Sequence, residues 1–193
     1  MSDPSLFVPP LVRQAARNLH RLEVLTANPI WTDISCRRHF WRTRRMMART
    51  PDEAAAWLPA LAFAVSCEKD PYVLAEFARW PLPEPLPPEA LPWRAALIRS
   101  WEQQRAATSW GKTIRLSALV RLDRRVERLP EWLREARRAL DLEPEDRRLH
   151  LAALAGWRPR PGDRPASGDI RKAVSQWVQF WKKLYRAPGS HLD

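Results

Sequence analysis

Glycine is scarce in this 193-residue chain: there are five, four of them beyond position 150. β-Branched residues are sparse too and never alternate in a run, so a sheet-built core is excluded. The two cysteines, Cys36 and Cys67, lie outside any Cys-x-x-Cys spacing. That argues against a disulfide framework and against a cysteine-based zinc site. No apolar run approaches the roughly 20 residues of a membrane-spanning helix. The segment from Met1 to Pro10 lacks a basic stretch followed by an apolar core. No secretory leader is therefore expected, and the expected compartment is the cytoplasm. Lysine is also rare, with five against 28 arginines.

What is present points to a folded, all-α protein. Apolar residues make up 45% and charged residues 28%, close to the globular average and unlike a disordered chain. Leu, Ala, Arg and Glu dominate, the composition of helices. The formal net charge is +11, and eleven Trp stand against five Phe and two Tyr. A GC-rich genome would account for Arg over Lys, but not for the positive excess. A guanidinium offers a planar fork of donors that matches phosphate. So positive a chain favours an anionic partner, most often nucleic acid.

Helix starts and stops are marked. Pro9 and Pro10 open a helix to about Ala27, and Asn28-Pro29 ends it. A second helix is expected from about Ile30 to Arg49. Thr50-Pro51-Asp52-Glu53 has the pattern of a capping box with Pro at the first helical position. It opens a helix to about Cys67 that is apolar nearly all round and therefore central, with Pro59 inside it as a kink point. Asp70-Pro71 caps a fourth helix to about Trp80. Five prolines among residues 81–88 then forbid helix. The expected organisation is two small helical bundles, residues 1–80 and 93–193, joined by a proline-rich linker at 81–92. In the second half, helices are expected from about Glu89 or Pro92 to Ala107, from Lys112 to Glu127, from Pro130 to Leu140 and from Pro144 to Gly156. A basic Pro/Gly loop follows at 158–168. The last helix starts near Asp169 and reaches Arg186, with Ile170, Val174, Trp177, Trp181, Leu184 and Tyr185 on one apolar stripe.

No catalytic constellation is legible. Trp110-Gly111-Lys112-Thr113 has the end of a phosphate loop but neither its upstream glycine nor a preceding strand. His20, His39, His150 and His191 show no ligand spacing, and the Cys36–His39 pair alone is weak. Glu143, Glu145 and Asp146 cluster at a helix start, where acids complement the helix dipole. The expectation is a non-enzyme with no cofactor and no metal.

The positive charge is unevenly spread. From Arg13 to Arg49 there are nine Arg and two acids; from Pro51 to Pro92, two basic residues and seven acids. Arg38, Arg42, Arg45 and Arg49 recur at helical spacing on one face. Only Asp33 is near them in sequence, which favours a phosphate-binding face over a merely solvated one. With Arg37 they form the first candidate set. Arg121, Arg125 and Arg128, with Arg124, form a second, beside the acids Asp123, Glu127 and Glu131. Arg171, Lys172 and Lys183, with Lys182 and Arg186, form a third on the outer face of the last helix. Charges distributed over several surfaces suit backbone tracking of a long polymer better than base readout by one inserted helix.

The second half carries a resemblance. Leu116-Ser-Ala-Leu119, Asp123-Arg124, Leu133-Arg134, Leu151-Ala-Ala-Leu154-Ala-Gly-Trp157 and a last helix with Trp177, Trp181 and Tyr185 spaced by four follow one another in order. This run of about 70 residues resembles the C-terminal bundle of the small, CasB-type subunit of Cascade, the type I CRISPR interference complex. The resemblance implies a non-catalytic subunit present in more than one copy. It would steady the guide RNA–target DNA heteroduplex, hold the displaced strand, and pack against the backbone and large subunits and a second copy of itself. It assigns Asp123 and Arg124 to helix packing.

Two other readings follow from the same residues. One is a helical DNA-binding regulator of plasmid or phage origin, which needs a short-turn helix pair and a dimer. The other is a peripheral membrane module, since basic helices with Trp can lie on anionic lipid. The single apolar stripe on each helix fits bundle members better, and no membrane partner is expected.

Overall fold

Proline and side-chain caps set most of the helix starts. The computed structural model describes residues 8–82, 84–157 and 168–186. Its α-helices are α1 (Pro10–Thr26), α2 (Ile34–Met47), α3 (Pro51–Ala55), α4 (Leu58–Cys67), α5 (Pro71–Ala78), α6 (Leu91–Gln103), α7 (Ser109–Leu122), α8 (Leu129–Ala139), α9 (Pro144–Ala155) and α10 (Gly168–Arg186). Among the described residues there is no strand, and the fold is all-α. The capping box forms as the sequence indicates: Thr50 Oγ1 accepts from the Glu53 N–H at 3.2 Å, and Glu53 Oε2 accepts from the Thr50 N–H at 3.0 Å. Asp70 Oδ1 accepts from the N–H groups of Tyr72 and Val73 at the head of α5.

Three expectations are corrected. The second helix does not start at Ile30. Pro29–Thr32 forms a 3₁₀ turn, and Asp33 is extended. Its Oδ1 takes the N–H groups of Ser35 and Cys36, so Asp33 is the cap that starts α2. The apolar helix from Pro51 is broken at Ala56-Trp57 rather than kinked. Pro59 has no N–H to give Ala55, and its ring restricts the residue before it. The carbonyls at the break find partners elsewhere: Asn18 Nδ2 donates to Ala56 O at 3.1 Å, and Trp80 Nε1 donates to Ala54 O at 3.1 Å.

The third correction concerns the domain boundary. The chain divides into two compact units, residues 1–107 and 108–193, not at the proline segment 81–92. The cause is α6, which packs along α4 and buries Arg94, Leu97 and Trp101. Gln104 Nε2 also donates to Glu68 O at 2.6 Å. The prolines return the chain to the first unit instead of leading out of it. The basic loop expected at 158–168 lies, except for Gly168, outside the described residues.

In the first unit α4 is the central element, as its apolar circumference indicates, touching α1, α5 and α6. Phe40, Trp41, Trp57, Phe77 and Trp80 meet edge-to-face or tilted around it, with centroids 4.9–6.4 Å apart, the geometry their ring quadrupoles prefer. In the second unit α7 packs on α9, and α8 on both α9 and α10. Leu116, Leu119, Leu133, Leu151, Leu154, Trp157, Trp177 and Trp181 are all buried there. These eight residues, which help carry the resemblance, are thus core residues. Thr113 Oγ1 and the carbonyl of Asp146 both lie 2.9 Å from His150 Nδ1, a polar tie between α7 and α9.

Candidate nucleic-acid interface

The expected stripe of Arg38, Arg42, Arg45 and Arg49 does not form: α2 ends at Met47, so Arg49 lies beyond it, and the others are not all free. The residues of α2 alternate around Trp41, which is buried against α5. On one flank Arg37 donates from Nε to Glu68 Oε2 at 2.9 Å, from Nη2 to Glu68 Oε1 at 3.3 Å, and from Nη1 to the carbonyls of Trp31 and Thr32. Four donors are spent on the protein itself, so Arg37 clasps the 3₁₀ turn and α2 to the end of α4. On the other flank Glu76, only 3% exposed, takes Arg45 at 3.1 Å and Arg38 at 3.7 Å. Arg38 also lies over the Tyr72 ring, 5.6 Å from its centroid. Arg42 and Arg49 are exposed, and among the described residues their side chains make no hydrogen bond or ion pair. Of the first candidate set, these two remain available to an outside anion, and half-exposed Arg38 in part. Neither Trp41 nor Trp31 is placed for base stacking: one is buried, and the other packs edge-on against Phe40.

Sequence reading missed the carboxylates because Glu68 and Glu76 arrive from other helices. Glu76 did carry a signal. It stands between Leu74 and Phe77 on a short apolar helix, and a charge in that setting implies a buried partner.

The second set centres on Asp123, which is 1% exposed at the end of α7. Arg125 grips it with two parallel bonds of 2.7 Å, and Arg128 Nε lies 3.5 Å away. Arg128 is further held by Glu131 at 3.2 Å and by the Trp132 ring. Burial pushes the Asp123 carboxyl up, but the Arg125 fork, the Arg128 charge and the Arg125 N–H together outweigh it, leaving it below the usual carboxylate range. Arg121 is pulled below its ordinary value by burial and by the charge of Arg124, and stays protonated under any working condition. Most of this set belongs to the architecture of the second unit. Because Asp123 titrates lower in the folded chain than the roughly 3.9 of an unfolded one, its contribution to stability is complete above about pH 5. It is lost as pH falls through the folded value. Melting curves at successively lower pH are expected to show wild type converging on Asp123→Asn, with the largest gap near neutrality.

The third set is the least encumbered. On α10, Ala173, Trp177 and Trp181 are buried, while Arg171, Lys172, Lys182 and Lys183 are exposed. None of these four makes a hydrogen bond or ion pair among the described residues. From Arg171 to Lys183 the band runs about 18 Å along the helix. Arg134 and Arg137 on α8, and Arg148 on α9, are likewise exposed and unpaired among the described residues. In sequence Glu131, Glu135 and Asp146 lie close to them. In the fold Glu131 pairs with Arg128, and Glu135 with Arg138.

Among the described residues no three His, Cys, Asp or Glu side chains are grouped to hold a metal ion, and no helix is long and apolar enough to cross a membrane. A cavity of about 400 Å³ in the first unit is lined mainly by apolar side chains, including Leu22, Trp31, Trp41, Phe63 and Phe77, beside the Arg37–Glu68 pair. Searches for relatives return nothing: no family model, no curated protein and no solved structure matches the chain.

Proposed function

We propose that this chain is a non-catalytic small subunit of an RNA-guided CRISPR interference complex. It binds the guide RNA–target DNA and the displaced strand through basic helical faces and stabilises the assembly. The observation that carries the reading is the α10 band: a row of cations that no acid pairs with among the described residues, on a helix whose other face is fixed in a core. Like charges aligned on a rigid helix repel one another, and a phosphate backbone laid along them offsets that repulsion. Exposed Arg42 and Arg49 offer a second contact of the same kind. These contacts would position a backbone without reading sequence. The order of helical motifs from Leu116 to Tyr185 supports the choice of complex. Partners in this reading are guide RNA, target DNA, the backbone and large subunits, and a second copy of the chain, all in the cytoplasm.

The test is to purify the tagged chain from cells that make it and analyse what accompanies it. Short repeat-derived RNA and a backbone subunit are expected in the same fraction. A stand-alone dimer that protects one palindromic operator would overturn the assignment in favour of a regulator.

A further inference from the structure

The exposed cations of α10 are not evenly spaced. Counting about 100° per residue from buried Trp177, Ser175 and Gln179 lie farthest from the core. Arg171 and Lys182 fall on one shoulder of that outer line, and Lys172 and Lys183 on the other. Each end of the helix therefore presents one cation on each shoulder, and the two ends stand about 16 Å apart along the axis. Between them, residues 173–181 carry no charge. The outer part of that stretch is polar and open: Ser175 and Gln179 are exposed and Gln176 half-exposed. Their side chains make no hydrogen bond among the described residues. Val178 beside them is 43% exposed. Asp169, in the first turn, reaches ion-pair distance of none of the four cations.

A single strand laid lengthwise would set several phosphates against this uncharged middle, since a strand carries one about every 3.4 Å of axis. Two backbones, one crossing each end of α10, would not. The surface between the two backbones of a duplex is a groove. The A-form minor groove is wide and shallow and shows 2′-hydroxyls and base edges between its phosphate rows, whereas the A-form major groove is too narrow for side chains to read. The minor groove of B-form DNA, about 6 Å wide, does not admit a helix about 10 Å across. Its major groove does, and is the competing site, but it shows no 2′-hydroxyl. A side-chain amide both donates and accepts, as does a 2′-hydroxyl. Gln176 and Gln179 thus match what fills the middle of the A-form groove, as the four cations match its edges.

We infer that α10 lies across the minor groove of the A-form guide RNA–target DNA hybrid. Arg171 and Lys172 rest on one backbone, Lys182 and Lys183 on the other, and Gln176 and Gln179 on the 2′-hydroxyls between them. The inference rests on the nucleic-acid reading and says which of its nucleic acids α10 takes: the hybrid, not the displaced strand.

The experiment measures binding of the wild-type chain, and of the double variant Gln176→Ala with Gln179→Ala, to three labelled probes of one sequence: an RNA–DNA hybrid, the DNA duplex and the single DNA strand. Salt is varied from about 50 to about 200 mM. The double variant keeps every cation, and alanine is the better helix former at both positions, so its melting temperature is expected to hold. Wild type is expected to bind the hybrid about tenfold tighter than the DNA duplex, and the double variant to lose about that factor on the hybrid alone, the share of two hydrogen bonds. Its slope of log K against log salt is expected to stay at the wild-type value, because no phosphate contact is removed. If wild type binds the DNA duplex or the single strand as tightly as the hybrid, or if the double variant binds the hybrid as wild type does, the groove assignment is wrong while the nucleic-acid reading stands. If wild type binds none of the three probes at any salt, both fall together.

Discussion

Replacing Arg45 with leucine is expected to cost the first unit about 3 kcal/mol at neutral pH, a drop of roughly 10–20 °C in melting temperature. Glu76 is all but inaccessible to water, and Arg45 supplies its close partner, with bonds from Nε and Nη2 at 3.3 and 3.1 Å. Without Arg45 the carboxylate keeps, among the described residues, only Arg38 at 3.7 Å and stays out of reach of solvent. An uncompensated buried charge costs far more than a buried pair contributes. The double variant Arg45→Leu with Glu76→Leu removes the stranded charge and is expected to recover most of the loss. Below its melting temperature, Arg45→Leu should bind nucleic acid as wild type does. Equal melting temperatures for wild type and Arg45→Leu would show that the pair carries no structural weight. Calorimetry and denaturant titration both read this.

The second large effect is on binding. Changing Arg171, Lys172, Lys182 and Lys183 together to glutamine leaves the buried face of α10 untouched, so the fold is expected to survive with its melting temperature nearly unchanged. If each residue neutralises one phosphate, the slope of log K against log salt falls by roughly 3.6, and affinity near 0.15 M salt falls on the order of a thousandfold. The loss should be uniform across sequences, since phosphate contacts carry no base information. A loss confined to one sequence would point to base readout and to the regulator. An unchanged slope would remove α10 from the interface.

How much of this was legible beforehand depends on the range of the interaction. Thr50 with Glu53, and Asp70 ahead of Tyr72 and Val73, act over two or three residues, so composition and spacing reveal them. Pro59 announced a disturbance, but the size of the break depended on Asn18 and Trp80 reaching its carbonyls from other parts of the chain. The boundary failed for a related reason. A proline run shows that a segment is extended, not which core receives the helix after it, and α6 returned to α4. The arginine stripe misled most. Its spacing was right for Arg38, Arg42 and Arg45, but α2 ends at Met47, short of Arg49, and Glu68 and Glu76 lie 31 to 38 residues from the arginines they pair with, beyond the reach of helical periodicity. On α10 the same kind of pattern stayed open, because its acids are few along the whole helix.

The most direct measurement is ultraviolet crosslinking of the chain, in cells that make it, to photoactivatable RNA and DNA, followed by peptide mass spectrometry. Crosslinks are expected on peptides spanning 171–183 and 42–49, with few on the peptide around Arg37. Peptides from α10 crosslinked only to neighbouring proteins, with no nucleotide adduct anywhere on the chain, would contradict the account.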